Sequence, residues 1–243
     1  FLVVTFVVMV ATRIGSVDPV RDLAGGAVSE AQIERVLRDY PYLDQSIFLQ
    51  YPQWLFDFVT GNLGYSYTQS QSGLDMFKQR LPPTLFMGFW AIVIGLAIAV
   101  PVGVYSAYRR DGLFDRTASL SSFAVISMPP LVIAVALLFL VVTRTSFFPT
   151  VGGSSYVAPW TSPIGHFRNF FIPSLTLGLG LAGVWSRFLR ADMNLTLQSD
   201  FIMLAKAKGV SPSRVLWRHA LRASVLSLVT SVALQLSALV GGA

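Results

Sequence analysis

The chain has 243 residues, 53% of them hydrophobic and 12% charged, and its mean hydropathy of +0.61 is too high for an ordinary soluble domain. Its net charge of +6 would suit nucleic-acid binding, but the basic residues flank apolar runs instead of forming a patch, so they act as signals of membrane orientation. With no cysteine, the chain has no disulfide framework, thiolate metal site or cysteine nucleophile.

Phe1 to Thr12 is an apolar run too short to cross a bilayer alone. It is expected to be the outer end of a first span whose beginning is missing, since no charged n-region or cleavage site marks a signal peptide. Residues 13–80 form the one sizeable polar segment. Within it, Ser29-Glu-Ala-Gln32 is a capping-box pattern, Ile33, Val36 and Leu37 continue a helical face, and Tyr40-Pro41 stops it. Ile47, Phe48, Tyr51, Trp54, Leu55 and Phe58 then recur at helical spacing, which suits a helix at a membrane interface. Gly61-Asn-Leu-Gly64-Tyr-Ser66 is a turn.

The second span, Leu81 to Tyr108, is uncharged. Ala91, Gly95, Ala99, Gly103 and Ala107 repeat every four residues along it, a seam where another helix can approach closely. Pro101 is expected to kink it. A charged loop with Arg109, Arg110, Asp111, Asp115 and Arg116 leads to a third span, Thr117 to Thr143, interrupted by Met128-Pro129-Pro130. Adjacent prolines free backbone carbonyls, tolerable at membrane depth only against protein or a wet cavity. These three residues are therefore candidates to line a translocation path, with a structural kink as the alternative. Arg144 to Asn169 form an aromatic, Gly/Pro-rich loop. A lone loop histidine is ordinarily solvated, so His166 is given no role. The fourth span begins near Phe170, carries Pro173 and Gly178-Leu-Gly180, and ends at Trp185 before Arg187 and Arg190.

Residues 200–222 are a polar island in this apolar half. Ser199 or Asp200 can cap a helix over Phe201 to Lys208, roughly 12 Å long. Gly209 supplies the left-handed residue that ends it, and Ser211-Pro212 restarts a helix as N-cap and first turn. Phe201, Leu204 and Ala205 share one face. That face must be covered, either by the chain's own spans or by another protein. Residues 223–243 give a fifth uncharged run, with Gln235 its one strongly polar side chain.

Charge sets the expected topology. The loops at 109–116 and 187–222 hold ten Lys/Arg and four Asp/Glu within 44 residues, whereas the segments at 13–80 and 144–169 hold eight of each over a little more than twice that length. The basic pair belongs in the cytoplasm. No Gly precedes a Lys, so no GxxxxGK[ST] phosphate loop exists, and there is no HExxH. No acidic residue lies in the spans at 81–108, 117–143, 170–186 or 223–243, which argues against coupling to protons or ions at membrane depth.

The run Ala205-Lys-Ala-Lys-Gly209, followed by Ser211, Arg214-Val215 and His219-Ala-Leu-Arg222, resembles the cytoplasmic loop of ABC-importer permeases of the oligopeptide/dipeptide/nickel family. Gly61-Asn62-Leu63-Gly64-Tyr65-Ser66 resembles a Gly-Asp-Leu-Gly-x-Ser of the same family. Met203 stands where the wider importer signature has Glu, and Leu226-Ser227 where a Leu-Pro usually closes it. The resemblance implies an all-α polytopic bundle with five spans here and six in the complete fold. It would be one permease domain, 1–243: partial first span 1–12, extracytoplasmic segment 13–80, spans two to four 81–186, cytoplasmic coupling loop 187–222, fifth span 223–243. The ATPase-coupling residues would be Asp200, Phe201, Met203, Leu204, Ala205, Lys206, Ala207, Lys208 and Gly209. A second permease, two ATPase subunits holding ATP and Mg, and an extracytoplasmic substrate-binding protein are the implied partners, in a bacterial inner membrane. Short peptides are the implied cargo, with nickel or another small solute as the alternative. No cofactor, metal or catalytic group is expected in this chain. The reading from another class is a secondary transporter using half-helix ends at Pro101 and Pro129-Pro130.

Overall fold

A computed structural model describes residues 1–15, 30–39, 46–66, 69, 71–145, 147–149 and 156–241. The chain divides into two compact units, Phe1–Leu81 and Pro82–Ala243.

In the first unit, α1 (Leu2–Gly15) packs on α3 (Ile47–Val59), with α2 (Glu30–Asp39) between them in sequence. Ser29 of the capping box and the Tyr40-Pro41 stop lie outside the described residues. Aromatic side chains join α1 to α3, as the helical spacing of Phe48, Tyr51, Trp54 and Phe58 foreshadows. Phe6 meets the Tyr51 ring edge-on at 5.2 Å, and the Tyr51 hydroxyl donates to the Leu2 carbonyl at 2.8 Å. The predicted turn forms with Gly61 and Gly64 both left-handed, and it leads into an antiparallel pair of β1 (Tyr65–Ser66) and β2 (Gln71–Ser72).

The second unit is organised on α7 (Pro163–Thr196), a helix of 34 residues. It starts earlier and ends later than the expected span from Phe170 to Trp185. Ser162 caps it by accepting from the Gly165 N–H at 3.2 Å, with Pro163 in the first turn. Past Trp185, the sequence of Arg, Leu, Ala, Met and Asn lacks a helix breaker until Thr196, so loss of hydrophobicity does not end the helix. Both Trp185 and Leu189 are essentially fully buried.

The expected seam lies on α4 (Gly73–Tyr108), which continues through Pro101; Ala91, Gly95, Ala99, Gly103 and Ala107 are all buried. Its partner is α7 of the same chain. A Cβ on Gly95 would lie 2.9 Å from Trp185 Cζ3, and one on Gly103 would lie 3.0 Å from the Ser186 carbonyl oxygen. The fit is reciprocal: a Cβ on Gly178 would lie 3.0 Å from the Ala91 oxygen and 3.0 Å from Ile94 Cγ2. Ser174 of α7 adds a hydroxyl bond to the Met87 carbonyl at 3.3 Å.

The expected third span is two helices. α5 (Leu113–Ser127) and α6 (Pro130–Leu137, continuing as a π-helical turn over Leu138–Val142) meet at an angle of 106°. Neither Pro129 nor Pro130 has an N–H to return to the last carbonyls of α5, and Met128 is extended, so the chain turns there instead of bending gently. Among the described residues three helices, Gly73–Tyr108, Pro163–Thr196 and Pro212–Leu236, are long and apolar enough to cross a membrane, and the bent pair would make a fourth. Leu2–Ala11 is a shorter apolar helix. The fold is an all-α bundle of membrane-spanning helices.

His166 is not a solvated loop residue. It lies in the first turn of α7 and is buried, accepting at Nε2 from the Trp90 indole N–H at 2.9 Å. Its Nδ1 sits 2.7 Å from the Val157 carbonyl and therefore carries the proton. This ring links α4, α7 and the chain entering α7.

The seam predicts a graded response in thermal unfolding of the purified protein. Gly103→Ala and Gly178→Ala each press a methyl group on backbone oxygen and should cost about 1–3 kcal/mol. Gly180→Ala, with nothing within 4 Å of its Cβ position, should cost nothing. A loss at Gly180 equal to the other two would remove the seam as the cause.

Candidate functional site

The loop singled out by sequence is held at its base by an ion pair. Asp115, in the first turn of α5, receives Arg190 of α7 through two bonds, Nε to Oδ1 at 2.5 Å and Nη2 to Oδ2 at 2.6 Å. The Asp115 side chain is 3% exposed and that of Arg190 30%. Asp111, left-handed at φ 62°, donates its N–H to the same carboxylate at 2.9 Å. A planar guanidinium matches a carboxylate in this two-bond geometry, which a lysine would not reproduce. Next to it, the Arg187 guanidinium lies 4.0 Å over the Phe123 ring, a second tie between α5 and α7.

Beyond Thr196 the chain turns into α8 (Asp200–Ala207). Thr196 and Ser224 share a hydroxyl contact at 2.8 Å that fastens the end of α7 to α10 (Leu221–Gly241). Ser199 does occupy the N-cap position with extended backbone, but its hydroxyl donates back to the Thr196 carbonyl at 2.5 Å and does not cap α8. Gly209 ends the helix at φ +75° as its residue type requires; nothing lies within 4 Å of its Cβ position, so the demand is conformational and not steric. Ser211 and Pro212 then start α9 (Pro212–Arg214), which widens into a π-helical turn over Val215–Ala220 before α10.

The two faces of α8 are unlike. Ile202 is 0% exposed and packs with Val215, Leu216 and Ala220 in the core of the unit. Phe201, Met203 and Leu204 are 49%, 56% and 56% exposed. Asp200, Lys206, Ala207, Lys208 and Gly209 are exposed as well, and Ala205 is half-buried. The expected face of Phe201 and Leu204 is thus left open by the chain's own spans. Ile202, which fastens the helix, was not among the sequence candidates; spacing alone cannot tell which of two apolar stripes on a short helix is the inner one. Asp115 was legible only as one more loop charge.

Met128, Pro129 and Pro130 are not brought to this loop. They lie at the far end of α5, a 15-residue helix away from Asp115, and all are exposed. Among the described residues no group of His, Asp or Glu is arranged to hold a metal ion.

Residues 99–243, which include the whole of this loop, match the family of binding-protein-dependent transport system inner membrane components. The chain belongs to that family. It is 30% identical over 241 residues to a Brucella abortus (strain 2308) protein named as a peptide transport system permease, covering 99% of this chain and 76% of that protein. It is 31% identical over 229 residues to the glutathione transport system permease protein GsiC of Escherichia coli (strain K12), covering 93% and 70%. The chain is therefore the multi-pass inner-membrane permease of an ABC importer, working with a substrate-binding protein and an ATPase, and it is not itself a catalyst.

The ion pair predicts a double-mutant result. Asp115→Asn leaves Arg190 facing a neutral amide in a partly buried setting and should lower permease stability by about 1–3 kcal/mol. Arg190→Gln should do the same, and the double variant should cost clearly less than the sum, because one interaction is removed twice. Additive losses in thermal unfolding would show that the two side chains act separately.

Proposed function

We propose that this permease moves short peptides and that α8 is the helix through which ATP hydrolysis in a partner drives it. The observation that supports coupling is the division of α8: Ile202 fully buried, with Phe201, Met203 and Leu204 of the same two turns about half exposed. A short helix tied to the bundle by one side and presenting three large apolar side chains on the other is built to enter a groove on another protein. Gly209 sets where that helix ends and so its aim. Asp200, Ala205, Lys206, Ala207 and Lys208 complete the contact segment, while ATP and Mg belong to two ATPase subunits. Peptide cargo is supported by the names of the relatives, which concern peptide and glutathione transport.

A second permease subunit would cover the break at Met128, Pro129 and Pro130. Freed carbonyls and exposed backbone at membrane depth must meet protein or water and not lipid. On this reading the three residues line the translocation path between two permeases. Uptake of labelled di- and tripeptides by intact cells with and without the permease checks the cargo; unchanged uptake on its removal would refute a peptide role.

Coupling is tested by aspartate at two positions on different faces of α8. Leu204→Asp should insert and accumulate normally, yet lose the co-purifying ATPase and transport, since it puts an unpaired carboxylate into an apolar contact. Ile202→Asp should instead lower the amount of folded permease. Full ATPase retention and transport in Leu204→Asp would end the assignment. Orientation is checked with the same absence of cysteine that composition provides: of single cysteines at Ser46 and Gln198, an impermeant thiol reagent outside intact cells should label only position 46.

A further inference from the structure

A cleft of about 450 Å³ opens where the end of α4, the end of α7 and α8 converge, within the size range of small-ligand sites. Its floor includes Ala107, Val215 and Leu216, all buried and apolar. Its rim carries Arg110, Asn194 and Lys206, and no carboxylate lines it. Lys206 follows Ile202 by four residues, so it lies on the inner side of α8 and away from Leu204. Among the described residues Lys206 has no ion-pair partner and the Asn194 amide no hydrogen-bond partner. Arg110 has a loose contact with Asp111 at 3.6 Å, with both side chains more than half exposed. Two cations facing one cleft repel each other unless an anion joins them, and an unpartnered amide beside them offers that anion further bonds.

The cleft also has a level. The uncharged run of α4 ends at Tyr108, which lines it, and Trp217, 48% exposed, stands on the same π-helical turn as the floor residues Val215 and Leu216. Tyrosine and tryptophan favour the boundary between acyl chains and headgroups. A soluble anion would need the rim alone; an apolar floor beneath a cationic rim at this level matches an amphiphile. We propose that this cleft binds the phosphate headgroup of an anionic phospholipid, with Arg110, Lys206 and Asn194 holding the phosphate and Leu197 and Val210 flanking the start of the acyl chains. Basic pockets between spans bind anionic headgroups for the same electrostatic reason. The proposal is independent of the cargo; it shares Lys206 with the proposed ATPase contact segment, so its test reads lipid retention on the permease itself and not transport or ATPase binding.

The test is native mass spectrometry of the intact permease in mild detergent, supplied with phosphatidylglycerol or with phosphatidylcholine of the same chains. The wild type should retain one phosphatidylglycerol in preference to phosphatidylcholine. Lys206→Gln and Arg110→Gln should each weaken that retention about fivefold. Lys206→Arg should keep it. Arg109→Gln removes an equal charge one position away, from a guanidinium that lies 5.4 Å over the Tyr105 ring and not on the cleft, and should also keep it. Equal retention of the two lipids, or equal loss in Arg109→Gln, would show general charge attraction and overturn the site. Displacement of the lipid by millimolar inorganic phosphate would assign the cleft to a soluble anion and overturn it too. All readings are taken on folded ions, so a misfolded variant is set aside in favour of the other single substitution.

Discussion

The second unit depends on how closely α4 and α7 approach each other. In a bilayer, helices gain little hydrophobic free energy by meeting, because lipid tails are as apolar as leucine. What remains is dispersion, which falls steeply with small gaps, and the occasional interhelical hydrogen bond. Glycine at 95 and 103 on one helix and at 178 on the other lets backbone oxygen and ring atoms of the facing helix sit 2.9–3.3 Å from where a Cβ would stand. α7 has a second such surface: a Cβ on Gly183 would lie 3.1 Å from Ile126 of α5. The helix at the centre is thus shaped by what its glycines leave out, and α5, α6 and α10 are assembled on it.

That packing fixes the loop that follows. α7 runs on past its apolar portion, and this extension carries Arg190, Met193 and Thr196, which tie respectively to Asp115, to the core and to Ser224. The origin of α8 is therefore set by a rigid helix and not by a flexible tether. A rigid origin fixes the direction in which the exposed face of α8 points. The sides of α8 differ: Ile202 fastens it to the core, Leu204 and its neighbours are exposed, and Lys206 lines the cleft.

α5 has a fixed contact at one end and a sharp break at the other. At its first turn Asp115 accepts three donors, two from Arg190 and one from the Asp111 backbone. At its last turn the prolines stop it and turn the chain through 106°. A displacement at the base of α7 would reach the break through a single 15-residue helix. Ser122 and Ser186, whose hydroxyls are 3.2 Å apart in the buried contact between the same two helices, keep α5 in register on α7 along the way.

The sequence by itself determined the class, the rough positions of the apolar stretches and the breaks in the polar loop between them. Hydropathy marks apolar stretches because the bilayer demands length and composition, and both are local properties. The four-residue repeat of Ala91, Gly95, Ala99, Gly103 and Ala107 showed that some helix comes close; Gly209 and Ser211-Pro212 showed where the loop breaks, because φ preferences are properties of single residues. Only the tertiary structure decided which helix fills the seam, that Thr117 to Thr143 is broken into two helices and not one continuous helix, that His166 is buried between Trp90 and the Val157 carbonyl, and that Asp115 holds Arg190 across 75 positions of sequence. It also decided that Ile202, and not Phe201 or Leu204, is the inner residue of α8. Each of these depends on which surfaces meet after the chain has folded, and a contact between distant residues leaves no trace in the spacing of either one.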